Sequence, residues 1–142
     1  MKMTWTWTGE EATIDDLVEC AGPGWRKHVE QMVADLEALG WSGKVTQVKE
    51  KFGGLRFYFE YEGIPENLQR VAMAVEIFHE GQSTMTCQLC GKHGTTRRKE
   101  NSGWLATLCR TCAVERGYPL EKWEEPDMDS AVKAVKEDPA VP

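Results

Sequence analysis

Four of the five cysteines stand in two Cys-x-x-Cys pairs, Cys87/Cys90 and Cys109/Cys112, with 18 residues between the pairs. No other feature restricts the fold as strongly, because C-x2-C-x18-C-x2-C lies in the window of a four-cysteine zinc site. Two residues between ligands let a tight turn aim both sulfurs at one ion. Gly91 follows the second ligand, where a left-handed backbone is easiest. Four sulfurs close a tetrahedral shell, so the expected Zn2+ is structural and leaves no position for a reacting water. The competing readings are buried unliganded cysteines or a redox pair; no thioredoxin-like βαβ pattern surrounds either pair.

The knuckle, the segment "TTRRKENSGWLATL" and a helix opened by the second pair resemble a treble-clef zinc finger over residues 86 to 117. That resemblance implies a scaffold and names no function. A treble clef can carry a histidine-based nuclease site, but His28, His79 and His93 are the chain's only histidines and form no recognisable set. His93, beside the knuckle, reads as a surface histidine. The deaminase pattern also fails, with His79 followed directly by Glu80 and Thr86 standing where a proline would precede the cysteine.

The remaining sequence supplies alternating helical and strand periods. Thr13 is an N-cap for "IDDLVECA", with Asp15 and Asp16 in the first turn and Gly22-Pro23 as the stop; Cys20 reads as a small buried residue of that helix. Trp25, Val29, Met32, Val33, Leu36 and Leu39 recur at helical spacing up to Gly40. The period then becomes two: strands near 44–51 and 55–62 are expected to form a hairpin turned at Phe52 to Gly54, with Leu55, Phe57, Phe59 and Tyr61 on one face. A third helix is expected from Pro65 to about Gly81, with Leu68, Val71, Ala72, Val75 and Phe78 facing the core. The "WTWT" opening alternates but is short. The expected fold is α+β, helices packed on a hairpin (1–85), a treble-clef-like zinc module (86–117) and an acidic, weakly ordered tail (118–142) containing a short helix from Asp129 to Glu137.

Charge decides between classes of partner. The chain carries −6 overall, yet residues 92–116 hold six basic and two acidic side chains. Lys92, Arg97, Arg98 and Lys99, with Trp104 nearby, form a candidate anion grip, since arginine forks match phosphate oxygens. The plainer reading is a solvated loop that offsets the acidic flanks. Lys49, Lys51 and Arg56 form a second cluster around a possible backbone nest at Phe52 to Leu55; the plainer reading there is a glycine turn. No Lys-Ser/Thr ending follows, which excludes a P-loop.

"VKEKFGGLRFYFEY", "TCQLCG" and "GWLATLC" together resemble a family of small, largely uncharacterised proteins of bacteria and their phages, over roughly residues 24 to 114. The resemblance implies ligation by the four cysteines and no particular activity. With no catalytic set and no apolar run or signal-like N-terminus, the expectation is a cytosolic, non-enzymatic binding protein without a membrane partner. Acidic flanks and six tryptophans favour a protein partner, such as host machinery engaged by a phage-type accessory protein or inhibitor. The alternative is a DNA- or RNA-binding zinc finger using segment 92–99.

Overall fold

The computed structural model describes residues 1–124; the expected helix from Asp129 to Glu137 lies outside them. The elements are β1 (Met3–Trp5), β2 (Glu11–Ala12), α1 (Ile14–Ala21), α2 (Arg26–Ala38), β3 (Lys44–Lys51), β4 (Gly54–Phe59), α3 (Gln69–Ser83), β5 (Thr95–Arg98), β6 (Leu105–Leu108) and α4 (Arg110–Arg116). Single 3-10 turns lie at Pro23–Trp25, Glu66–Leu68 and Lys122–Glu124. The architecture is α+β with two sheets.

The hairpin forms as its alternation predicts, but inside a four-stranded sheet of order β2-β1-β3-β4. β1, from the "WTWT" opening, runs parallel to β3 and antiparallel to β2. An irregularity between Val45 and Gln47 breaks the pairing of β3 with β4. It shifts the side-chain parity, so that Val45 and Val48 are both buried three residues apart. The turn is the two-residue Phe52-Gly53, with φ of 53° and 81°. Two positive φ values suit Asn-Gly; a phenylalanine there costs about 1 kcal/mol.

Leu17 and Val18 of α1 and Val29, Met32 and Leu36 of α2 cover Val45, Val48, Leu55 and Phe57 of the sheet, with Trp25 fully enclosed at the start of α2. Thr13 caps α1 in a reciprocal box with Asp16. The buried face of α1 is Leu17, Val18 and Ala21, which leaves Cys20 exposed, contrary to the expectation for it. Trp41 donates its indole N–H to the Glu60 carbonyl (2.8 Å) and meets Phe57 and Phe59 edge-on.

α3 departs from its expected orientation. Ala72, His79 and Ser83 are its buried positions, whereas Val71 and Phe78, expected in the core, are exposed. Polar anchors set this rotation. The Leu55 N–H of β4, an edge strand, donates to Ser83 Oγ (2.8 Å), and the Phe57 N–H reaches Glu80 Oε1 (3.4 Å). His79 Nε2 lies 3.1 Å from Asp35 Oδ2 on α2. Edge N–H groups left bare inside the protein would each cost about 1–3 kcal/mol, so the face able to satisfy them turns inward.

A second, smaller core holds Cys87, Ala106, Leu108, Cys109, Ala113 and Tyr118. It joins the first through the corner ahead of α2. Gly24 N–H donates to the Gln88 carbonyl and Trp25 Nε1 to the Thr86 carbonyl, both at 2.8 Å. A Cβ on Gly24 would lie 1.9 Å from the Cys87 carbonyl oxygen, so only glycine permits this approach. Because Tyr118 is buried and Glu124 is bonded to β5, the zinc-module segment extends past Gly117, and residues 118–124 belong to it rather than to a loose tail.

Candidate metal centre and the surfaces around it

The local turns aim the thiols as their spacing requires. In the knuckle, Cys87 N–H donates to the Lys92 carbonyl (2.7 Å) and Gly91 N–H to the Cys87 carbonyl (2.9 Å). Gly91 sits at φ 82°, in the left-handed region expected for it. β5 and β6 pair antiparallel from Thr95↔Leu108 to Arg98↔Leu105 and return the chain to the second pair. Cys109 is the N-cap of α4, its sulfur accepting the Cys112 N–H at 3.4 Å.

All four Sγ atoms lie within 4.8 Å of one another, and those of Cys90 and Cys109 are 3.5 Å apart. A tetrahedron with metal–sulfur bonds of about 2.3 Å has edges of about 3.8 Å, so the four thiols can hold one metal ion. Burial pushes the Cys87 thiol up, but backbone groups of Cys109, Cys90 and Leu89 outweigh it and bring the thiol down to about 7. Burial and the neighbouring thiols of Cys109 and Cys87 push Cys112 strongly up. Four thiolates this close repel one another, and a central cation would remove that penalty. The knuckle, hairpin and ligand-bearing helix follow the expected treble-clef order.

The basic residues separate into three groups. Arg97 does not join an exposed grip: it is buried, its Nε donates to the Leu108 carbonyl (3.0 Å), and its two Nη atoms grip both Glu124 carboxylate oxygens at 2.5 and 2.7 Å. β5 points alternate side chains to opposite faces, so Arg97 turns inward while Arg98 stays exposed with Lys92 and Lys99. Arg56 stays directly opposite Lys49 in the β3–β4 register, but its guanidinium is taken up internally, with Nη1 3.9 Å from Glu80 Oε2 and 3.2 Å from the Leu55 carbonyl. The expected nest is spent internally, because Gly53 N–H donates to Glu50 Oε1 (2.6 Å) and Leu55 N–H to Ser83.

Lys49, Lys51 and Trp104 do come together. With Glu50, Phe52, Gly103 and Leu105 they line a cleft of about 300 Å³ between the β3–β4 turn and the β5–β6 loop. Leu105 also borders a wider groove that includes Arg98 and Lys99. The hairpin turn is pinned there, with Thr107 Oγ1 donating to the Gly53 carbonyl (2.5 Å). His93 is exposed, with Nδ1 3.3 Å from the Met85 carbonyl, as expected of a surface histidine.

The outward face of α3 was not anticipated. Val71, Met73, Ile77 and Phe78 are 45–62% exposed. With Ala74 and Gly81 they make a helix face free of charge from 71 to 81, a pattern that the sequence carries as missing charge at outward positions. Among the described residues, no helix is long and apolar enough to cross a membrane.

No family model, curated protein or solved structure matches this chain. The functional reading therefore rests on the site geometry.

Proposed function

We propose that this chain is a zinc-stabilised, non-enzymatic binding protein that docks a protein partner on the outer face of α3. Zinc is the assignment because four soft thiolates within 4.8 Å of one another match its preference, and a closed shell leaves the ion a structural role. The observation that carries the docking reading is the uncharged α3 face. Val71, Met73, Ile77 and Phe78 stand exposed together, whereas soluble proteins usually intersperse such positions with charge.

The rim selects the partner. Glu66 lies just ahead of the face and Arg70 is the helix's single basic residue, while Glu80 is turned in toward Phe57 and Arg56 of β4, so the complementary surface is chiefly apolar. Under the phage-type resemblance, the partner is a component of host machinery. The test is affinity capture with wild-type bait and with an Ile77→Glu/Phe78→Glu variant of equal metal content. A stoichiometric partner lost only from the variant supports the reading. Identical capture by both baits, or a wild-type homodimer that the variant dissolves, overturns it.

A further inference from the structure

We infer that the cleft between Phe52 and Trp104 is a second binding site, separate from the α3 face, which takes a nucleotide unit: a flat base with its phosphate. Phe52 is 69% exposed and Trp104 64%, and each comes from a different hairpin. Neither exposure serves packing. Phe52 is the more informative, because it holds a left-handed backbone (φ 53°) at a turn where asparagine or glycine would sit without strain. The fold buries only the smaller part of this side chain, so a role outside the fold accounts for a strained aromatic here.

The charges around the two rings select the ligand. Lys49 and Lys51 line the same cleft, with the Lys51 ammonium 5.5 Å from the Phe52 ring centre and the Lys49 ammonium 5.9 Å from that of Tyr58. The one carboxylate in the lining, Glu50, is already accepting the Gly53 N–H at 2.6 Å. Past Leu105, the adjoining groove adds Arg98 and Lys99 and the carboxylates of Glu100 and Glu121 as well, so the cationic end of the site is the cleft itself. Ring faces with ammonium groups beside them match a base stacked over a phosphodiester. An acidic peptide suits the charge but lacks a ladder to join, because Lys99 N–H already bonds the Trp104 carbonyl, and Trp104 N–H bonds Ser102 Oγ. A free nucleotide and a single strand share the chemistry, and the groove beyond Leu105 favours the strand.

The experiment titrates the metal-loaded full-length protein into fluorescein-labelled dT12, an abasic strand of equal length, thymidine monophosphate as competitor, and a poly-glutamate peptide. The strand is expected to bind at low salt with a log–log salt slope of about −1.4, as for two neutralised phosphates. The abasic strand should bind at least fivefold more weakly, and the mononucleotide should compete only at much higher concentration. Trp104→Ala and Phe52→Asn should each weaken binding by roughly 5- to 100-fold. Phe52→Asn also raises the melting temperature, which separates lost binding from lost folding. No binding of dT12 up to about 100 µM at low salt overturns the inference, as does binding indifferent to Phe52 and Trp104. Poly-glutamate binding as tight as dT12 with the same dependence on Phe52 also overturns it, in favour of an acidic-peptide site. None of these outcomes bears on α3.

Discussion

Arg97 and Glu124 form a bidentate ion pair at 2.5 and 2.7 Å, with side chains only 4% and 6% exposed. It ties β5 to the segment after α4. Arg97→Ala leaves the Glu124 carboxylate without its partner and should destabilise the protein by about 3 kcal/mol, the lower end for breaking a buried pair. Its hydrogen bond to Arg97 holds the Glu124 carboxyl below its ordinary value. Stability from this pair is therefore present above the ordinary carboxylate range and lost as pH falls through the depressed value. Acid denaturation of wild type and Glu124→Gln, followed by circular dichroism, should show this loss in the wild type alone.

Metal removal should unfold the smaller core first. Cys87 and Cys109 are both ligand candidates and members of that core, so chelation exposes its apolar side chains as it frees the thiols. Elemental analysis should find about one zinc per chain. Cys109→Ser should lose it, with a fall in thermal stability that added zinc no longer corrects.

Ser83→Ala should cost about 1–3 kcal/mol, because it strands the Leu55 N–H at the covered edge of β4. Ile77→Glu, six residues earlier on the same helix but facing outward, should change stability by no more than about 0.5 kcal/mol. Urea denaturation of the two variants checks the contrast. Equal losses would mean that α3 is rotated from the orientation described.

Glu76 should give the protein a pH dependence near neutrality. Burial, aided by the Glu80 charge and opposed by Arg56 on β4, raises its carboxyl to about 7; burial, with the Glu76 charge second, raises the Tyr61 phenol. A raised folded-state value favours the protonated form, so this contribution is complete below the ordinary carboxylate value. It disappears as pH rises through about 7. Glu76→Gln should flatten the decline in melting temperature across that window.

Local chemistry was the most legible part of the chain. Thr13 caps α1 as expected, Gly91 takes its left-handed turn, and the four cysteines converge. Each depends on residues close in sequence or on spacing the ligands require. Positions with two plausible faces were less legible. Val71 and Phe78 lie on a second apolar stripe of α3 beside Ala72 and Val75, and periodicity alone does not rank two stripes. Arg97 and Arg98 are adjacent and chemically identical, yet strand parity buries one and exposes the other.

The sequence by itself determined the helices, the hairpin and the metal-ligand set, because capping, periodicity and Cys-x-x-Cys turns act over a few residues. Only the tertiary structure decided which surfaces are open. The bare N–H groups of Leu55 and Phe57 turned Ser83 and Glu80 inward and so left Ile77 and Phe78 outside. Docking of the Gly53 turn on Thr107 brought Lys49 and Lys51 to Trp104, more than fifty residues away in the chain. Both outcomes come from satisfying buried backbone groups across long sequence separations, which no short window of sequence records.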